Sequence, residues 1–247
     1  MTKIKCGDKV FRDIELVAFD KDGTLLTFDM FLPVMIKRAE LLIERYNLPS
    51  ESFDEIIELM GIDPIERKVV IGGAIHTERV TIIKQTQDYL HQYNQCPSVQ
   101  ELAKLFDEVD AQVDFYNHAK PYDGVPETLR KLRDNGLILL VITHDSTEPA
   151  IKQLKSAGIA DYFDLILGLD FDSPYNPKPS PDMLLYGSKV LGVDISKTII
   201  VGDDNRDMLT GKNAGALGAV GVLSGRSKAE ELPDADVIID SVADIEV

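Results

Sequence analysis

No stretch of the 247 residues is long and apolar enough to cross a bilayer, so the sequence predicts no membrane-spanning helix. The opening residues, MTKIKCGDKVFRDIEL, lack the uninterrupted apolar segment of a secretory signal. Cysteine is scarce. Cys6 and Cys96 lie far apart without metal-type spacing, which points to free thiols rather than a disulfide framework. Basic charge is thin as well. With 26 Lys and Arg against 42 Asp and Glu, the net charge is -16, and the basic residues are scattered. A field of that sign opposes nucleic acid and anionic membrane as partners. Repeats and low-complexity tracts are missing too. What remains is an ordinary globular composition, 44 % hydrophobic and 28 % charged, in a chain able to bury a substantial core as one or two domains. The expected location is the cytoplasm; oligomeric state is left open.

Two textures divide the chain. Residues 14–20, IELVAFD, form a short apolar run ending in acid, as a buried strand would. From about residue 121 onward the same unit recurs. VPETLRKLRDNG reads as a helix stopped at Gly136, followed by the apolar run LILLVIT at 137–143. Further helix and strand pairs follow, through FDLILGL, the proline-rich loop DSPYNPKPSP, TIIVGDD, LGAVGVLSG and DVIID. Strands alternating with helices predict a parallel sheet covered on both faces, because each crossover helix packs back on the sheet.

The middle, about 28–119, shows no such alternation. Ser52 with Glu55, and Ser98 with Glu101, both fit the capping box that opens a helix. Apolar residues from Val99 to Val113 recur at helical spacing, and another helix is expected over 78–93 with Val80, Ile83, Leu90 and Tyr93 inward. Gly72 and Gly73 break the pattern just before it. The expected fold class is therefore α/β, with a Rossmann-like, doubly wound parallel sheet and an all-helical domain inserted after its first strand.

In an open α/β sheet, ligands collect at the carboxyl ends of the strands. The first such end carries Asp20-Lys21-Asp22-Gly23-Thr24, and 137–142 ends in Thr143-His144-Asp145-Ser146. The run 197–201 ends in Gly202-Asp203-Asp204, with Asp207 shortly after, and the proline-rich loop carries Lys178. If these ends meet, several carboxylates crowd one small volume. A divalent cation relieves that crowding, and all-oxygen ligands suit Mg²⁺. One carboxylate can then attack a phosphoryl group while a second, held protonated, serves as acid and later as base.

Taken together, these segments resemble the haloacid dehalogenase-like (HAD) superfamily, specifically its phosphatases of the phosphoglycolate phosphatase type. DKDGT resembles the first motif, Thr143 the second, Lys178 in PKPSP the third and GDDNRD the fourth, in the expected order. The resemblance implies a discontinuous core of residues 1–27 and 120–247 and a helical cap domain of residues 28–119 that closes over the substrate. It implies Asp20 as nucleophile and metal ligand, and Asp22 as general acid and base with its backbone carbonyl on Mg²⁺. Asp203 would be the direct metal ligand of the fourth motif, with Asp204 and Asp207 close by or behind it. Thr143, His144, Lys178 and Gly23 would hold phosphate, Gly23 by keeping the backbone close enough to offer N–H donors to the anion. Relatives commonly carry asparagine where His144 stands. In the cap, His76 and Arg79 are candidate substrate contacts, with an ordinary turn histidine and a solvated helix arginine as the plainer alternatives.

An acid at Asp22 implies cleavage of a C–O–P substrate, because members that break C–Cl or C–P bonds have no alkoxide to protonate. The expected activity is Mg²⁺-dependent hydrolysis of a small soluble phosphate monoester through an aspartyl-phosphate. The alternatives are a phosphomutase on a sugar phosphate, or a catalytically silent protein that binds a phospholigand.

Overall fold

The computed structural model describes residues 2–70 and 79–247. The chain forms two compact units, Met1–Thr27 with Ala119–Val247, and Phe28–His118.

The first unit begins with a hairpin, β1 (Lys3–Cys6) and β2 (Lys9–Arg12), paired antiparallel from Lys3 and Arg12 to Cys6 and Lys9. Gly7 turns the chain at φ +55°, a left-handed conformation that glycine adopts without a side-chain clash. Ile4, Cys6 and Phe11 are buried, and the lysines between them face water. Next comes β3 (Leu16–Phe19), then β4 (Ile138–Ile142), β5 (Leu165–Leu167), β6 (Thr198–Gly202), β7 (Gly218–Val222) and β8 (Val237–Ile239). These six pair in the order β5-β4-β3-β6-β7-β8, all parallel. The final strand, β9 (Ile245–Glu246), pairs with β1, so both ends of the described chain share one small sheet.

In the second unit, α1 (Leu32–Tyr46), α2 (Ser52–Leu59), α3 (Arg79–His91) and α4 (Val99–Gln112) bury a common apolar cluster that includes Leu42, Ile57, Leu90 and Phe106. The Ser98 capping box forms as expected: the Ser98 hydroxyl accepts from Glu101 N–H at 3.2 Å, and Ser98 N–H donates to Glu101 Oε2 at 2.6 Å. The Ser52 box does not form. Helix α2 already includes Ser52, whose hydroxyl instead donates to Tyr93 Oη at 3.1 Å. Val80 faces outward, against expectation, and Ile82 and Ile83 supply the buried face of α3.

The sheet is crossed by α5 (Val125–Asp134), α6 (Thr147–Ser156), α7 (Asp182–Leu191) and α8 (Asn205–Ala214). Strands β3, β6 and β7 are buried along their whole length, as parallel strands covered on both faces must be. This is the doubly wound, Rossmann-like arrangement that the alternation predicts. The order places β3 centrally between β4 and β6, with Phe19 level with Val141 and Val201. The three carboxyl ends therefore open at one height on the same side of the sheet. Cys6 and Cys96 are both free thiols. Among the described residues, no helix is long and apolar enough to cross a membrane.

Candidate active site

The last backbone bond of β3 fixes Asp20, whose N–H donates to Val201 O at 2.9 Å. From there the carboxylate faces the start of α8 and the loop ahead of α7. Lys178 Nζ donates to Asp20 Oδ1 at 2.5 Å and to Asp207 Oδ1 at 2.6 Å, with Ile142 O at 3.4 Å. Asp207 lies one helical turn beyond Asp203 and has a second task. Its Oδ2 accepts from Asp204 N–H at 3.2 Å, while Asp204 Oδ1 accepts from Arg206 N–H at 2.8 Å, so the two close a capping box at the N-terminus of α8. Helix capping and site building thus use the same residues.

Asp203 sits at the end of β6, 2 % exposed, with Oδ2 accepting from Arg226 N–H at 2.8 Å. Two glycines make room for it. A Cβ at Gly225 would lie 2.0 Å from Asp203 Oδ2, and one at Gly23 would lie 2.4 Å from the same atom. Gly23 also turns the chain at φ +86°. Its N–H donates to Leu26 O at 2.9 Å, and both clearance and backbone conformation call for glycine here.

Asp20, Asp203 and Asp207 are all buried, and one carboxylate oxygen from each falls within 4.8 Å of the others. That donor set, entirely oxygen and entirely anionic, fits a hard divalent cation. The electrostatics carry the same message. Burial, followed by the Asp20 and Asp207 charges, pushes the Asp203 carboxyl up to about 8. Asp207 is pushed up to about 6 by burial, against the Lys178 charge that favours its ionised form. Burial works against the Lys178 ammonium, yet the Asp20 and Asp207 charges prevail and raise its pKa.

Asp22 lies beside this cluster, and Lys21 holds its carboxylate. Both of its oxygens accept from Lys21 Nζ at 2.6 Å. Burial lifts its pKa to about 6, opposed by Lys21 and assisted by Asp145 and Asp20. Thr143, at the end of β4, is 2 % exposed, and its hydroxyl accepts from Asp145 N–H at 3.2 Å. It shapes the loop ahead of α6, whose first residue follows Ser146. His144 is partly exposed, but its Nε2 is buried with no hydrogen-bond partner. Burial, then Lys178 and Arg206, lowers its pKa and favours the neutral ring.

The structure thus brings together Asp20, Lys178, Asp203 and Asp207, with Asp22, Thr143 and Gly23 around them. Asp204 sits behind, capping α8 and pairing with Arg206 at 3.0 Å and Arg226 at 3.3 Å. In the helical unit, Arg79 is engaged by α4, pairing with Asp107 at 2.6 Å and Asp110 at 3.2 Å. His76 lies outside the described residues. Two site residues that sequence reasoning passed over are Lys21 and Gln153, whose side chains meet at 2.5 Å. A lysine between two acids at the end of an apolar strand was the available signal for the first.

Comparison with known proteins agrees with this geometry. The profile of the family "haloacid dehalogenase-like hydrolase" matches residues 14–215, which span Asp20 to Asp207. A phosphoglycolate phosphatase of Neisseria meningitidis is 31 % identical over 219 residues, covering 86 % of this chain and 81 % of that protein. The pyrophosphatase PpaX of Halalkalibacterium halodurans is 40 % identical over 111 residues, but that match spans 42 % of this chain and 51 % of the relative. Among solved structures, a HAD family hydrolase from Deinococcus radiodurans with bound phosphate and sodium superposes with a TM-score of 0.65. It is 18 % identical, covering 94 % of this chain and 93 % of that one, a likeness of fold. With sheet order, strand-end carboxylates and the profile all in agreement, the chain belongs to the haloacid dehalogenase-like hydrolase family.

Proposed function

We propose that this phosphatase hydrolyses a small soluble phosphate monoester in two phosphoryl transfers, with Asp20 as nucleophile and Asp22 as acid and then base. The observation that carries the reading is the pairing of roles on one turn. Asp20 is buried against the Lys178 ammonium at 2.5 Å, and Asp22, two residues on, has a carboxyl pushed up to about 6. A proton carrier should exchange near neutrality, which the surroundings of Asp22 favour, while Lys178 holds an Asp20 oxygen in place for attack.

In the first transfer an Asp20 oxygen bonds to phosphorus and the ester oxygen departs, taking a proton from Asp22. In the second, water attacks the same phosphorus, Asp22 accepts the water proton, and the bond to Asp20 breaks to release inorganic phosphate. Lys178 offsets negative charge on the phosphoryl oxygens. Thr143 supplies a hydroxyl beside it, and His144 its backbone.

Mg²⁺ is the cation assigned to Asp20 and Asp203, with Asp207 alongside, and when bound it offsets phosphate charge within the carboxylate cluster. The name of the Neisseria relative makes phosphoglycolate the first substrate to try. The helical unit is assigned the cap role, which in this reading governs substrate choice.

The test is phosphate release from p-nitrophenyl phosphate by wild type and Asp20→Asn, with Mg²⁺ and then with EDTA. Release that needs the metal and vanishes in the variant supports the reading. Release that persists in Asp20→Asn refutes the assigned nucleophile.

A further inference from the structure

Lys21 is fully buried, yet it carries a charge that water would otherwise solvate. An apolar side chain of similar length would suit that environment better, since burying an ion is unfavourable unless it is well paired. The pairing here is complete. An ammonium has three N–H donors, and three acceptors surround this one: the Asp22 carboxylate at 2.6 Å, Gln153 Oε1 at 2.5 Å and Asp145 Oδ2 at 3.0 Å. Nothing is left over for a phosphate or a leaving group, so Lys21 is not a substrate ligand.

Its surroundings are also braced. Gln153 is 2 % exposed on α6, and its carbonyl is aimed at the lysine. Asp145 belongs to the loop that Thr143 shapes. The Lys21 carbonyl accepts from Leu25 N–H and Leu26 N–H, both at 2.9 Å, which locks the turn that carries Asp22. Strand end, following loop and helix therefore converge on one ammonium, and the Asp22 carboxylate turns both of its oxygens to it.

We propose that Lys21, braced by Gln153 and Asp145, is a positioning residue that holds the Asp22 carboxyl where it can deliver a proton to the departing ester oxygen. The inference rests on the phosphatase reading and goes beyond it. Proton transfer depends steeply on alignment, and a displaced acid forfeits much of the roughly 10²–10⁴-fold that a general acid supplies. The loss should be felt where the leaving oxygen needs a proton and spared where it leaves as a stable anion.

That distinction gives the experiment. kcat/KM reports steps up to the first irreversible one, here the transfer to Asp20. It is measured for phenyl, 4-chlorophenyl and 4-nitrophenyl phosphate, which are close in shape and differ in leaving-group stability. Lys21→Met should lose at least about tenfold more on phenyl than on 4-nitrophenyl phosphate, approaching the pattern of Asp22→Asn. Gln153→Met, which keeps the lysine and removes its brace, should tilt the series the same way by a smaller factor. It also carries the test if Lys21→Met fails to fold. Equal losses on all three esters in both variants, or none, would overturn the positioning role and leave the phosphatase reading standing. Absence of release by wild type from every ester would refute the phosphatase reading itself, and this inference with it.

Discussion

Replacing Asp203 by asparagine should stabilise the metal-free protein while disabling it. Asp203 is pressed between Gly23 and Gly225, and its pKa is pushed from 3.8 up to about 8 by burial and by the Asp20 and Asp207 charges. An acid whose folded pKa exceeds its unfolded one opposes folding once ionised. That penalty is absent below about pH 4, grows as pH rises between about 4 and 8, and levels off above. Four units at about 1.4 kcal/mol each set a ceiling of roughly 5–6 kcal/mol at pH 8, and relaxation of the site brings the expectation to about 2–5 kcal/mol. Asparagine keeps the shape, and its amide oxygen can still accept from Arg226 N–H, so packing is preserved. The assay is thermal unfolding in EDTA at pH 5 and pH 8. Asp203→Asn should melt at least about 5 °C above wild type at pH 8, with a much smaller gap at pH 5. Adding Mg²⁺ should raise the wild-type midpoint and barely move the variant. A variant that melts at or below wild type at pH 8, or a gap that does not widen from pH 5, would refute the crowding argument.

Two further perturbations address the same cluster from other sides. Lys178→Met removes the cation between Asp20 and Asp207; it should cost about 3–5 kcal/mol in EDTA by urea unfolding, because two buried carboxylates lose their partner, and lower kcat by at least about 100-fold. Gly225→Ala places a methyl 2.0 Å from Asp203 Oδ2 without asking for an unusual backbone angle, so its effect is purely steric. Displacing that carboxylate should weaken Mg²⁺ binding, followed by calorimetric titration, and reduce kcat/KM by about 100-fold.

Much of this site was legible from chain order alone. Asp20, Thr143 and Asp203 each stand within two residues of the end of an apolar run, and parallel pairing brings such ends together whatever the loops do. Asp20 and Asp203 meet because Phe19 is in register with Val201, which the alternation of strands and helices foreshadows. Other features depended on contacts that no local pattern encodes. Asp207 belongs to the carboxylate cluster because α8 starts where it does, and its sequence signature is indistinguishable from an ordinary helix-capping acid. Ser52 fits the capping pattern but spends its hydroxyl on Tyr93, a residue 41 positions away. The grip of Lys21 on Asp22 needs Gln153, on a helix 132 positions further along. The hairpin of β1 and β2 was within reach of sequence reasoning: KIKC alternates charged and apolar residues and runs into Gly7-Asp8, a two-residue turn signal with a second short run after it. Its third strand was not, since β9 has two residues.

The strand order also dictates when the carboxylates first confront one another during synthesis. Strand β3 pairs with β4 and β6, yet roughly 120 and 180 residues separate it from those neighbours along the chain. A ribosome making the chain at about 5–20 residues per second therefore exposes Asp20 many seconds before Asp203 exists. Through that interval Asp20 is spared the repulsion that Asp203 and Asp207 later impose. Only when β6 docks does mutual charge become a burden, and β7 and β8 follow directly to extend the sheet beyond it. Catalytic competence is thus among the last properties that the nascent polypeptide acquires, and turnover reports on completion of the central sheet.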